Sequence, residues 1–202
     1  MDDNNHIIKI LRTFSKTGNL VRVFDAQQAL QPFGDETVSA MAEALKDPDA
    51  DLRIFALKIL EALGNKAEPA LPAMIKALND PDRIVKIAAI GPVAAFGEKA
   101  MDAVPILLKW IGSDDEFSHV TAIGHILLID PSKADVLIPI LVESLESNDF
   151  LIRCQTVWLL GQLGELTVEA VPALERMLYD DDSFVRSAAS EALQEITGNQ
   201  LP

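Results

Sequence analysis

The chain has 202 residues, 49% of them hydrophobic but only 5% aromatic, and 17 Lys and Arg stand against 31 Asp and Glu for a formal charge of −14. That length allows one extended domain or two small ones, and a core rich in alanine and leucine suits closely packed helices. So negative a field excludes duplex nucleic acid, whose binding rests on neutralised phosphates, and a single cysteine, Cys154, excludes an internal disulfide.

The opening residues Met1-Asp2-Asp3-Asn4-Asn5 are acidic and polar, where a secretory signal needs a basic start and an apolar centre. No apolar run reaches the roughly 18–20 residues that cross a bilayer, so a cytoplasmic location is expected. His6 to Ser15 reads as a first helix and Asn19 to Leu30 as a second. Together they predict a degenerate hairpin over residues 5–34 that closes on Phe33-Gly34.

From residue 36 onward the chain repeats. The turn Asp47-Pro48-Asp49 recurs as Asp80-Pro81-Asp82, Ser113-Asp114-Asp115, Ser147-Asn148-Asp149 and Asp180-Asp181-Asp182, at steps of 33 or 34 residues. Pro72, Pro105, Pro139 and Pro172 keep that phase, and so does a basic column of Arg53, Lys86, His119, Arg153 and Arg186. Three markers in one register define repeats at about 36–66, 67–99, 100–133, 134–166 and 167–199. No linker or break in composition interrupts them, so one domain over 1–202 is expected.

Each repeat reads as two helices. In the last, 168–178 is the first, with Ala170, Val171, Leu174, Met177 and Leu178 at helical spacing. Pro172 stands near its start, where a missing N–H costs least. The acidic turn then caps a second helix over 183–196, with a stripe of Val185, Ala188, Ala189, Ala192, Leu193 and Ile196. Gly198 follows as a C-cap, and Gly64, Gly97 and Gly164 hold similar places. Pro92, inside a predicted second helix, should bend that helix or shift its start.

The spaced Trp, Gly, Tyr and Pro of tetratricopeptide repeats and the Thr-Pro-Leu-His of ankyrin repeats do not occur. The acidic turn followed by Phe184-Val185-Arg186-Ser187-Ala188-Ala189 resembles HEAT repeats, and the short period resembles the compact bacterial type of phycobilisome lyases. The resemblance implies an all-α fold, a right-handed α-α superhelix (solenoid) of five to six HEAT-like hairpins whose second helices line a concave binding face. It also implies that Arg53, Lys86, Arg153 and Arg186 form a structural ladder with turn carboxylates, Asp47, Asp80, Asp114 and Asp149 among the candidates, which His119 weakens midway.

Catalytic chemistry finds little footing. The acidic turns lack the alternating ligands, central Gly and closing Glu of a calcium loop. His6, His119 and His125 have no zinc-type spacing to cysteine. They precede Ile7, Val120 and Ile126, not the glutamates of the iron-holding dyads in HEAT-like deoxyhypusine hydroxylases. HEAT-like DNA glycosylases use a basic concave face, and the matching columns here hold almost no cations. His125 and Cys154 fall in apolar columns and read as packing residues. No metal, cofactor or catalytic set is expected.

The columns expected to face outward do suggest a binding surface. One holds Lys58, Gly91, Gly124, Trp158 and Glu191; its neighbour holds Phe55, Ala88, Thr121, Gln155 and Ala188; a third holds Ala62, Ala95, Leu128, Gln162 and Glu195. They predict a shallow trough walled by Trp158 with charged ends. The two glycines serve either a closely approaching ligand backbone or tight helix packing. The function expected is a non-catalytic scaffold for a protein partner with an extended or basic segment, without nucleic acid or membrane. The alternative implied by the resemblance is a lyase-like holder of a linear tetrapyrrole.

Overall fold

The computed structural model describes residues 3–15, 21–111 and 115–198. Among them every regular element is helical. The α-helices are α1 (Asp3–Ser15), α2 (Val21–Leu30), α3 (Glu36–Ala44), α4 (Ala50–Leu63), α5 (Leu71–Ala77), α6 (Arg83–Ala94), α7 (Val104–Ile111), α8 (Glu116–Ile129), α9 (Ala134–Glu143), α10 (Phe150–Leu163), α11 (Val171–Met177) and α12 (Ser183–Thr197). They fall into two compact units, Met1–Ala103 and Val104–Pro202. In the N-terminal unit α4 packs on α6, and α1 packs on α3 and α4. In the C-terminal unit α10 lies between α8 and α12. The alternation of first and second helices is the hairpin repeat of an α-solenoid. The N-terminal hairpin occurs as α1 and α2, though Asn19, its expected second start, lies outside the described residues.

Local chemistry sets the helix boundaries. First helices start later than the apolar spacing suggests: Gly164–Ala170 is a 3-10 segment, and α11 begins only at Val171. Pro172 stands in its first turn, where the ring would clash with any α-helical carbonyl four residues back. Leu71-Pro72 repeats this arrangement at α5. Helices α4 and α10 end on glycines with positive φ, 56° at Gly64 and 54° at Gly164, which a side chain would disfavour, whereas α6 ends on Ala95 and α8 on Asp130. Pro92 leaves the start of α6 at Arg83, and the helix ends two residues beyond the proline.

The acidic turns divide two tasks between two positions. The second carboxylate caps the helix: Asp49, Asp82, Asp149 and Asp182 accept from the backbone N–H two residues on, at 2.7–3.0 Å. The first closes the turn: Asp47, Asp80 and Asp180 accept from the N–H of the capping Asp at 2.8–3.0 Å. That first carboxylate also receives an arginine from an earlier hairpin. Arg53 donates through Nε and Nη2 to Asp80 at 2.8 and 2.7 Å, while its Nη1 reaches the carbonyls of Asp47 and Pro48. Arg153 repeats this with Asp180 at 2.8 Å for both bonds and with the Ser147 carbonyl. One guanidinium thus closes its own turn and clamps the next.

Not every candidate carboxylate takes a rung of the ladder. Asp149 caps α10 and has no arginine; Asp47 receives Arg12 of α1 at 2.6 Å instead of a second-helix residue. Arg186, in the last hairpin, reaches only the carbonyls of Asp180 and Asp181. Asp114, another of the candidate carboxylates, lies outside the described residues. At the interrupted rung the two sides change together. His119 replaces the arginine and engages the Ile111 carbonyl through Nδ1, and Ser147 replaces the receiving aspartate.

Candidate protein-binding face

In the N-terminal unit the candidate residues lie on α4 and α6. Phe55 is buried, a correction to its expected outward position, because α1, α3 and α6 all pack against α4. Lys58, Ala88 and Gly91 are half-buried. A side chain added at Gly91 would meet only the Glu61 carboxylate, 3.3 Å away.

In the C-terminal unit the central column is also corrected. Thr121 and Gly124 are buried inside α8, whose residues 120–127 are without exception enclosed. A Cβ at Gly124 would stand 2.5 Å from Cδ2 of Leu159, itself fully buried. Gly124 is therefore a seat for α10, not the floor of a trough. Gly161 does the same toward α12, where a Cβ would lie 3.0 Å from Cα of Ala192. The sequence reading passed over Gly161; its signal was a glycine in mid-helix three residues after Trp158. Thr121 Oγ1 is enclosed without a hydrogen-bond partner.

What stands open is the outer face of α10 and α12. Trp158 is 48% exposed; Gln162 and Glu191 are exposed, Gln155 half-buried, and Leu128 of α8 half-buried. Gln155, Trp158 and Gln162 follow one face of α10, at spacings of three and four. On α12, Glu191 and Glu195 do likewise, and the Glu195 carboxylate lies across α10 where a Gly161 Cβ would be, at 2.6 Å. An exposed indole on α10 thus shares a pair of packed helices with two exposed carboxylates of α12. The surrounding field is strongly negative, since residues 104–202 carry 5 Lys and Arg against 16 Asp and Glu. The arginines at the starts of these helices, Arg153 and Arg186, are held in their turns.

The polar residues of the interior are not arranged for catalysis. His125 is buried and donates Nδ1–H to the Thr121 carbonyl at 2.7 Å; burial holds its pKa below the usual 6.5. The half-buried Cys154 thiol is pushed above its usual value by burial and by Asp182 and Asp180, which keeps it protonated and poorly nucleophilic. Among the described residues no three His, Cys, Asp or Glu are grouped to hold a metal ion, and no helix is long and apolar enough to cross a membrane. A cavity of about 300 Å³ in the N-terminal unit lies among Leu30, Asp35, Val38, Ile59, Leu63 and Lys66, with one aspartate and one lysine as its titratable groups.

Comparison with known proteins places the repeats. The family model of HEAT repeats matches residues 38–124 and 119–194. The chain belongs to the HEAT-repeat family. No curated protein matches it. Among solved structures, an engineered protein is 19% identical, with 98% of each chain covered and a TM-score of 0.57. A designed armadillo repeat protein is 18% identical, covering 96% of this chain and 92% of its own, with a TM-score of 0.57. A second, solved in complex with the peptide (KR)4, is 20% identical, covering 94% and 91%, with a TM-score of 0.61. At these identities the likeness is one of fold: this HEAT-repeat chain is an all-α repeat solenoid.

Proposed function

We propose that this HEAT-repeat protein is a non-catalytic scaffold whose α10–α12 face binds an extended, basic segment of a partner protein. The observation that carries the reading is Trp158, half exposed among Gln162, Glu191 and Glu195 in a strongly acidic unit. An indole face attracts a lysine or arginine head and packs against its aliphatic stem. The carboxylates add charge-assisted hydrogen bonds and steer the approach. A designed armadillo neighbour solved with (KR)4 supports the chemistry by analogy only.

The test is a titration with a Lys/Arg octapeptide, its Glu/Asp counterpart and a neutral Ser/Gly peptide, followed by calorimetry. The basic peptide should bind, weaken with added salt, and lose affinity in Trp158→Ala and in the double variant Glu191→Gln/Glu195→Gln, with unchanged helicity. Binding that ignores these substitutions, or no preference among the peptides, would overturn the reading. The tetrapyrrole-holding alternative rests on repeat type alone. Such a pigment needs cations for its propionates, and Lys133, Arg153 and Arg176 of the C-terminal unit are each engaged with a carboxylate.

A further inference from the structure

A second surface lies along the starts of the second helices. Two residues before each basic ladder position stand Asp51, Ile84, Phe117, Leu151 and Phe184. This is the first turn of a helix, where acidic and polar residues are favoured. Capping needs nothing from these side chains, because Asp149 and Asp182 already satisfy the N–H groups of Leu151 and Phe184. Yet Leu151 is 57% and Phe184 71% exposed, and Phe117 is half-buried. In the C-terminal unit they occupy the same position on three helices that pack in sequence, α8, α10 and α12. The Arg153–Asp180 pair ties the start of α10 to the turn leading into α12, so Leu151 and Phe184 are held in register. Single exposed apolar residues are ordinary; an in-register row on adjacent helices is not.

We infer that this row is a docking edge for an amphipathic basic helix of a partner protein, separate from the Trp158 face. Packed helices stand about 8–10 Å apart, so the three row members follow at about that interval. A partner helix rises about 10.5 Å in seven residues, which brings leucine-like side chains at heptad spacing onto successive members. Charge selects the rest of the partner. Glu116, Asp149 and Asp181 are exposed beside the row, in a unit with 16 acidic and 5 basic residues. Lysines or arginines flanking the apolar stripe would meet them. The same charges oppose a second copy of this chain and an anionic bilayer.

The probe is a synthetic helix of two to three heptads with leucine at the stripe and lysine elsewhere. It is compared with a scramble of the same composition and with a version carrying glutamate for lysine. Heptad peptide binding by the intact protein should fall about tenfold or more in Leu151→Ser/Phe184→Ser. It should fall less in Asp181→Asn and persist in Trp158→Ala, which separates this edge from the proposed peptide face. Both serines replace exposed side chains, so melting should stay unchanged. Equal binding of the scramble, or undiminished binding by the double serine variant, would overturn the inference. So would row-dependent self-association in sedimentation, or row-dependent capture by anionic vesicles.

Discussion

The two halves of the chain share one construction and differ in what they show to solvent. The clamp of Arg53 on Asp80 in the N-terminal unit and that of Arg153 on Asp180 in the C-terminal unit have the same donors, the same acceptors and distances within 0.1 Å. Their surfaces are unlike. Residues 1–103 hold 12 Lys and Arg against 15 Asp and Glu, nearly balanced, whereas residues 104–202 hold 5 against 16. The edge position that is Asp51 and Ile84 in one unit is Phe117, Leu151 and Phe184 in the other. Residues that recur with the period hold hairpins together; those that break it are where a partner can be told apart.

The largest effects should come from breaking the shared clamp. Arg53 and Asp80 are both almost fully enclosed, and the guanidinium also serves two carbonyls. Arg53→Ala leaves a buried carboxylate without its partner and should cost about 3–5 kcal/mol in urea unfolding. Arg153→Ala should cost less, since its side chain is more open to water, and Arg186→Ala about 1 kcal/mol, since it contacts carbonyls alone. Equal losses at all three would show that the clamp across hairpins adds nothing to closing a turn. Charge gives a second handle on it. Asp180 is held below its usual 3.8, first by the bond from Arg153. That stabilisation is complete above pH 3.8 and is lost as pH falls toward the folded value. Arg153→Ala should flatten this acid limb.

The next comparison is between two glycines of one column. Gly124→Ala would push a methyl group into Leu159, which has no room to retreat, and should destabilise by about 1–3 kcal/mol. Gly91→Ala meets only the mobile end of exposed Glu61 and should be neutral or gain up to about 1 kcal/mol from helix propensity. Losses of similar size at both positions in thermal melts would contradict the packing role assigned to Gly124 alone.

His125 allows a finer contrast within the C-terminal unit. Its folded pKa is lowered, mainly by burial, so the unfolded chain takes up a proton near 6.5 before the folded one does. The contribution is complete above that value and is lost as pH falls below it. Stability should therefore decline from pH 7 to pH 5, and His125→Gln should flatten the decline. A slope unaltered by the substitution would place the titrating group elsewhere.

The repeat was legible because several markers kept one phase, and a turn with two carboxylates and an arginine is chemistry that composition alone exposes. The hairpin register, the caps at Asp49, Asp82, Asp149 and Asp182, and the glycines at helix ends follow from such local rules. The direction of the clamp did not. That Asp80 receives Arg53 of the preceding hairpin depends on which hairpin lies next in space, and Asp149 receives no arginine because it stands at the capping position, with Ser147 at the receiving one. The exposure of the candidate binding face was legible in part. Trp158, Gln162 and Glu191 are open as their columns suggested, but Phe55, Thr121 and Gly124 are buried. A column argument assumes that every second helix presents the same face. Helix α8 violates it, because its residues from Val120 to Ile129 are almost all apolar and nothing in that pattern distinguishes inside from outside. The edge row keeps the same register, at the helix starts and not on the helix faces.

The smallest expected effects on stability fall on the surfaces proposed to bind. Leu151→Ser and Phe184→Ser each remove a side chain that is mostly in water and should change unfolding by about 0.5 kcal/mol or less, while Trp158→Ala, at a side chain about half covered, should cost about 1–2 kcal/mol. The quietness of the serines gives them their value, because a scaffold's contacts ought to be absent from its folding energetics. Trp158→Ala should cost affinity for a basic extended peptide alone, and the two serines affinity for an amphipathic helix alone. If either substitution weakened both ligands equally while the protein stayed folded, the two surfaces would be one. If instead neither substitution weakened its ligand, the acidic field of the C-terminal unit, not any particular side chain, would be the recognition element, and affinity would track salt concentration identically for both peptides.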